Sequence, residues 1–541
     1  MLTPDYLEHA PDGVAKLMQQ LEDDILRDVA RRIGKMDTVT DTAKWQLWRL
    51  SQVRGLRKEI IKLLARYSGK TETEIRQLLS ESGTMALEED DELYRAAGRT
   101  PPPVNDSPTL VNLLNAGYRQ TRGTWQNLTA TTANTVTGQF EAALDRAWLQ
   151  VSSGAFDYKT AIKRAVDDLA RDMTYVTYPS GHRDTLEVAT RRAVLTGVNQ
   201  TAGKLQMARM EEMDWEFIET TAHPGARPEH AVWQGKVFHW GGAVTVDGVR
   251  YPDFESSTGY GTGPGLCGWN CRHHMHAFFP GLSQRAYTEE QLAQLNARDM
   301  EYNGKMYTRY ELSQIQRGLE RRVRKRKRQY LAEEAAGADT TQAAAKLRTA
   351  REQLKQFSRQ TSLDLDSSRI GVSGFGRSQA SKATAGAARY YKDWADVPGL
   401  NAPKTLAEYY QIKYNDPERW TRLRRDHDTL LKIDQKSWTP EFKQKAVETF
   451  LAFQAEGIEI TDHGVARFLD RSRGKKGLPP YSIQDIAVQF RQPINYIQDD
   501  GKTIRLYNGR AIVATKENAI VSIVDRKEPK SNWREYDDQD D

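Results

Sequence analysis

The sequence predicts a multidomain chain. Its N-terminal and middle regions are mainly α-helical, a small irregular α+β domain holds cysteine and histidine, and a C-terminal α+β module sets helices before an antiparallel sheet. Three observations carry this. Apolar residues recur at spacings of three and four through most of the first 214 residues. Both cysteines and six of the ten histidines fall within residues 221–281, a stretch broken by glycines. After residue 493 alternation and turn signals replace the helical spacing.

Length and charge bound the rest. At 541 residues and 61.6 kDa the chain exceeds one ordinary domain. An apolar fraction of 38% with 28% charged residues suits several modest cores better than one large globule. The net charge of +5 is small for this mass and by itself names no nucleic-acid partner. No apolar run approaches the roughly 18 residues that span a bilayer, and the start lacks a signal-peptide core, so no membrane anchor is expected. Two cysteines are no disulfide framework, which points to a reducing, intracellular setting.

Residues 1–100 read as a helical region. Trp45, Trp48, Leu56, Ile60, Leu63 and Leu64 form one apolar stripe, and residues 71–79 read as a further short helix. The two tryptophans either pack inside or face a partner subunit. Residues 96–108, with the run PPPV, form a break. Residues 109–214 then hold helices at 109–151, 158–173 and 185–213, with an extended excursion, YVTYPSGH, between the last two. The centre of the first, TATTANTVTG, needs a packed environment to persist as helix. Asn199 and Gln200, if buried, need partners and can pin the third helix to the irregular domain after it.

Residues 215–283 form the Cys/His domain. Residues 215–221 read as a strand leading into His223, and Pro224, Gly225 and Pro228 impose a tight loop before His230. Cys267 and Cys271 are four apart, with His273, His274 and His276 behind them. A domain so rich in glycine has little core, and a metal can supply folding energy. Zinc held by Cys267, Cys271 and one or two of His223, His230 and His273 is one reading. Buried free thiols, or a pair near disulfide distance, within a histidine and arginine hydrogen-bond network are another, with Arg227 and Arg272 bridging carbonyls or carboxylates. A cysteine nucleophile with a histidine base is a third, and it lacks an orienting residue.

Three stretches here are specific: RRAVLTGVNQTAG at 191–203, HPGARPEHAVWQGKVF at 223–238 and YGTGPGLCGWNCRHHMHAFFPG at 260–281. They closely resemble the phage minor capsid (minor head) protein type 2 family, related more distantly to the Mu-F-like head morphogenesis domain. The resemblance makes His223, Arg227, His230, Trp233, Cys267, Asn270, Cys271 and His273 the hallmark positions. It implies a virion protein of the head or head–tail vertex, in the host cytoplasm during assembly, with the portal protein and other head proteins as partners.

Residues 284–360 read as basic helices. The run RRVRKRKR at 321–328 puts cations around much of the helix circumference. Such a segment is expected to face water, an acidic portal surface, or the phosphates of packaged DNA. Residues 361–400, Gly- and Ser-rich at first, are expected to be a linker.

Residues 401–530 change character. Helices are expected near 403–413 and 438–456, separated by a charged segment. TDHGVARFLDR at 461–471 reads as a helix capped by Thr461 or Asp462, with His463 and Arg467 on one face. A short helix at 483–489 precedes strands near 493–497, 503–507, 510–515 and 519–525, turned by DDG and NG. This pattern, over about residues 442–525, resembles the barnase–EndoU–colicin–RelE-like nuclease superfamily, as found behind phage minor head proteins. Metal-free RNA cleavage needs a proton acceptor, a proton donor and cations for the phosphorane. His463 is the candidate base or acid and Arg467 and Arg505 are candidate phosphate clamps, with Arg510 a weaker one. Thr503 and Ser522 are candidate hydrogen-bond donors. Within residues 442–525 no second histidine accompanies His463. Residues 531–541 read as an acidic tail. The leading expectation is a phage minor head protein carrying an RNase-like module. The alternative is a head-delivered or prophage-encoded ribonuclease effector with an N-terminal packaging adaptor.

Overall fold

The computed structural model describes residues 2–36, 42–172, 175–178, 182–474 and 479–537. The chain divides into two compact units, Met1–Gly386 and Ala387–Asp541. The architecture is predominantly helical through the N-terminal and middle regions, with a small mixed Cys/His domain and a C-terminal helix-plus-antiparallel-sheet module. Among the described residues no helix is long and apolar enough to cross a membrane.

The first unit begins with α1 (Pro4–His9), α2 (Asp12–Gly34), α3 (Thr42–Ala96), α4 (Pro108–Ser152) and α5 (Tyr158–Asp172). A hairpin of β1 (Tyr175–Thr177) and β2 (Arg183–Thr185) leads into α6 (Leu186–Glu212). The PSG turn expected to close it lies outside the described residues. Helices α2 to α6 share one core, with Met18, Ile25, Leu56, Phe140, Leu144 and Val198 among its buried residues. Trp45 belongs to it and stacks on Trp48 and Trp148, so its indole packs within the chain. The threonine-rich centre of α4 holds as helix because Val136 and Phe140 are buried beside it. Its hydroxyls bond back to carbonyls one turn earlier, as Thr132 does to Leu128 at 2.9 Å.

Helix α3 departs from the expected pair of helices and runs unbroken for 55 residues, about 80 Å at 1.5 Å per residue. Thr71, Ile75 and Leu79 continue the buried stripe of Ile60 and Leu63. The space around Gly69 is open, so that glycine costs the helix only its propensity.

The Cys/His domain contributes β3 (Phe217–Thr220), α7 (Pro228–Ala231), β4 (Val237–His239), a hairpin of β5 (Val244–Val246) and β6 (Val249–Tyr251), α8 (Phe254–Thr258) and β7 (Met275–Ala277). Strand β3 is central to an antiparallel sheet of order β4-β3-β7, with Ile218 opposite both Phe238 and Ala277. Beyond it come α9 (Glu289–Leu295), a hairpin of β8 (Met300–Tyr302) and β9 (Lys305–Tyr307), then α10 (Arg309–Ala335) and α11 (Thr341–Thr361).

The basic run on α10 does not face outward as a whole. Arg321 and Arg322 are exposed, but Arg324, Lys327 and Arg328 are buried. Arg328 donates to Glu22 at 2.6 Å and to Asp23 at 2.7 Å, and Arg324 pairs with Glu187 at 2.8 Å. Lys327 donates to the Ile370 carbonyl at 2.6 Å. The acidic surface met by these cations is supplied by α2 and α6 of the same chain. Charge pairing offsets the desolvation of these groups where sequence reasoning placed solvent or phosphate.

Residues 362–376 also differ from a free linker. They form a strap on the helical body: Arg369 pairs with Glu8, Ser373 N donates to Asp23 at 2.7 Å, and the Gln19 side chain meets the Gly371 carbonyl. The second half of the expected linker is α12 (Arg377–Ala395), in which Ala383 and Ala387 are buried.

The second unit continues with α13 (Leu406–Asn415), α14 (Pro417–Gln435), α15 (Pro440–Ala455), α16 (Asp462–Arg471) and α17 (Ile483–Phe490). The charged segment expected to separate two helices is itself α14, with His427, Leu430 and Ile433 buried. Strands β10 (Tyr496–Gln498), β11 (Thr503–Tyr507), β12 (Arg510–Ala514), β13 (Ile520–Asp525) and β14 (Trp533–Glu535) form an antiparallel sheet of order β13-β12-β11-β10-β14. One face carries Ile512, Ala514, Ile520 and Ile523 against Phe450, Phe453 and Phe468 of the helices. The other gathers Ile504, Ala511, Val513 and Trp533. The start of the expected acidic tail is thus a strand, because Trp533 is buried in that second cluster and β14 pairs with β10. Residues 538–541 lie outside the described residues.

Two outcomes are expected. Arg328→Ala strands two buried carboxylates and should cost about 3–5 kcal/mol by chemical denaturation. The second concerns the α5–α10 contact. There Gln329 donates to Asp167 at 3.0 Å and to Glu333 at 3.2 Å, drawing two carboxyl groups together. Burial, then Asp167, pushes the Glu333 carboxyl up to about 8. Between about pH 4.5 and 8 the folded state therefore holds a proton that the unfolded chain has released, so stability falls as pH rises through that window and levels off above it. Melting temperature should drop between about pH 5 and 8 and level off above, and Glu333→Gln should flatten that slope.

Candidate functional site

The Cys/His loop is held against α6 by Asn199. Its Nδ2 donates to the carbonyls of Cys271 at 3.0 Å and His273 at 2.9 Å, and its Oδ1 lies 2.7 Å from His274 Nδ1. The loop reaches this position through two residues in the left-handed region, Cys267 (φ 58°) and Asn270 (φ 57°). Gly265 is required before them, since a side chain there would strike the Gly259 backbone. Arg227 bridges to the Trp269 carbonyl at 3.1 Å, and Arg272 pairs with Glu8.

Three side chains converge within this frame: His230, Cys271 and His273, all buried. The His230 and His273 Nδ1 atoms are 3.3 Å apart, and each is 3.7 Å from Cys271 Sγ. The opposite ring nitrogens decide the tautomers. His230 Nε2 is 2.7 Å from the Pro264 carbonyl and His273 Nε2 is 3.0 Å from Gln234 Oε1. That amide oxygen also accepts the His223 backbone N–H at 3.1 Å, while Gln234 Nε2 donates to Asn296. Both Nε2 atoms must therefore carry hydrogen, which leaves two bare Nδ1 lone pairs facing each other beside a thiol. Such outer hydrogen bonds orient histidine ligands. Tetrahedral zinc with ordinary bond lengths sets its ligands about 3.3 Å apart for N···N and about 3.6 Å for S···N, so the donor set fits a metal of that kind.

The other two residues expected as ligands stand aside. Cys267 Sγ is 3.9 Å from His274 Nδ1 and makes no part of the convergence. His223 stacks on His273, ring centroids 4.4 Å apart, and its Nδ1 is 3.1 Å from the Pro224 carbonyl. It lines a cavity of about 120 Å³ that the three converging residues share. Trp233 packs on His230 and His273 at 4.7 and 4.8 Å. The cysteines are free and buried, and burial pushes the Cys271 thiol up to about 11 and the Cys267 thiol well above its ordinary value. Without a metal neither is a ready nucleophile. Gln234 and His274 were missed by sequence reasoning, since nothing in their spacing tells a buried polar partner from a loop residue.

In the second unit, Thr461 caps α16 by accepting from Gly464 N at 3.1 Å, and the helix lies along β13 with Gly464 against the Ile520 carbonyl. His463 is exposed, and Arg467 Nε lies 3.3 Å from its Nε2. Arg505 is not beside them. It is 8% exposed, its Nε donates to the Gln492 carbonyl at 2.9 Å, and its guanidinium lies over Phe490. Strand β11 is two strands in from β13, about 10 Å of sheet. The Thr503 hydroxyl, on the same strand, is buried and has no hydrogen bond among the described residues. Arg510 lies over Tyr481 and 3.6 Å from Asp525. Ser522 is paired with Val513, whose register neighbour is Ile504, which turns it to the sheet face opposite Arg505. Of the five residues expected in a nuclease site, only His463 and Arg467 are brought together.

Comparison with known proteins fits the first unit. A family model described as Phage minor capsid protein 2 matches residues 2–358, and the chain belongs to that family. It is similar to a structural protein of Lactococcus phage LL-H, 26% identical over 346 residues that cover 60% of this chain and 86% of the relative. No solved structure matches the chain. The chain is therefore a phage structural protein of the minor capsid class.

Asn199→Ala would leave the buried Cys271 carbonyl and a histidine N–H without these partners, and the His273 carbonyl with only the Cys271 thiol at 3.7 Å. It is expected to destabilise the first unit by at least about 2 kcal/mol, read as a lowered midpoint in denaturant unfolding.

Proposed function

We propose that this minor capsid protein sits at the portal or in the head interior, with zinc bracing its Cys/His domain and an RNase-like module at its C-terminus. Family membership supports the head assignment. The zinc reading rests on one observation: two bare Nδ1 atoms and a thiol sulfur stand at the separations that a tetrahedral ion imposes. His230, His273 and Cys271 would hold the ion, and its role would be to supply folding energy to a domain with little apolar core. Direct zinc quantification on the full chain, purified without chelator, is expected to give one equivalent. Cys271→Ser should lose it and Cys267→Ser should keep it; zinc absent from the wild type, or lost equally in both variants, rejects the site.

For the C-terminal module the exposed His463–Arg467 pair supports contact with RNA. An imidazole can take or give a proton, and a guanidinium beside it suits a phosphate oxygen. Buried Arg505, half-buried Thr503 and the oppositely turned Ser522 would then support the fold. The second reading, a head-delivered or prophage-encoded ribonuclease effector, is favoured by the C-terminal residues forming a compact unit with its own core. Mass spectrometry of purified virions before and after DNA ejection separates the two. Retention in the emptied particle fits the structural role, and loss with the DNA fits delivery. Incubated with cellular RNA, the full chain is expected to cleave and His463→Ala to be at least about tenfold slower. Equal inertness of both proteins rejects the RNase reading.

A further inference from the structure

A second cavity, of about 370 Å³, lies beside the Cys/His loop, walled by α1, the start of α6, the middle of α10 and the 362–376 strap. Its size suits a small ligand. Among the described residues seven arginines and four carboxylates line it. The carboxylates are already engaged. Glu8 is shared by Arg272, Arg317 and Arg369; Asp184 takes Arg192 at 2.6 Å; Glu187 takes Arg324 at 2.8 Å; and Glu320 accepts from Gln316. At the margin Asp12 takes Arg191 at 2.6 Å, and Asp366 takes Arg369 at 2.9 Å. Arg321 is exposed at the rim and has no ion pair among the described residues.

Guanidinium groups therefore outnumber the anions inside, and one glutamate carries three of them. Each guanidinium has five N–H donors, and a carboxylate uses at most two in a bidentate pair. The imbalance registers on Arg317, brought down to about 10 by burial, with the like charges of Arg369 and Arg272 acting against Glu8. We propose that this cavity binds a phosphate-bearing polyanion. A carboxylate offers two acceptor oxygens, whereas linked phosphates present many in a small volume, enough for the N–H donors left over by these pairs, and match the planar fork of arginine. The cavity is far narrower than a duplex, so a nucleic acid would present its backbone phosphates at the rim, at Arg321. This site does not depend on the zinc reading, although Asn270, Arg272, Gln314 and Arg317 line both cavities.

The test uses the full chain at low ionic strength, titrated calorimetrically with tripolyphosphate and with inorganic phosphate. One saturable tripolyphosphate site per chain is expected, at least about tenfold tighter than for inorganic phosphate. Arg321→Ala removes an exposed side chain without an ion pair, so it should leave the melting temperature unchanged and weaken tripolyphosphate about tenfold. Arg317→Gln should weaken it further. A short DNA duplex that displaces tripolyphosphate from the wild type identifies a nucleic-acid backbone as the source. Failure to displace identifies a free polyphosphate. No saturable binding, binding undiminished in both variants, or a polyglutamate peptide bound as tightly as tripolyphosphate overturns the proposal.

Discussion

Helix α10 can lie inside the first unit only because α2 and α6 offer it carboxylates. Arg328 would be prohibitive to bury alone, and Glu22 and Asp23 would be equally so without it. Together they fix the rotation of α10, since turning the helix by one residue would present a different set of cations to α2. That rotation places Arg317 at Glu8, and Glu8 in turn meets Arg272 of the Cys/His loop and Arg369 of the strap. Buried charge pairs are poor sources of net stability but good at refusing alternative arrangements, and the first unit uses them in that sense.

The Cys/His centre obeys the same logic with neutral groups. Asn199, Gln234 and the Pro264 carbonyl each satisfy a buried polar atom and in doing so decide which nitrogen of each imidazole faces inward. The convergence of His230, Cys271 and His273 is thus a product of outer hydrogen bonds contributed by α6, the turn after α7 and the glycine-rich loop.

Much of this was legible in the sequence. The helical periodicity located α4, α5 and α6 to within a residue or two, because long periodic patterns leave little choice. The meander of β11 to β13 was legible from alternation and its NG turn. The Cys/His cluster announced a centre, but spacing could not say which members meet: the left-handed turn at Cys267 points that thiol toward His274 and Cys271 toward His230. The basic run misled because charge along a sequence says nothing of carboxylates some 300 residues away. The nuclease-like residues scattered for a similar reason. The bulge between Val513 and Ala514 fixes which face Ser522 takes, and no local pattern specifies that bulge.

The unbroken course of α3 has a mechanical consequence. Near its beginning Trp45 is clasped between two other tryptophans, and near its end Tyr94 meets Phe279 of the Cys/His domain edge-on at 5.5 Å. One continuous helix therefore joins the two contacts. Load applied to the tryptophan clasp would be carried by a single hydrogen-bonded shaft to the domain that carries the imidazoles.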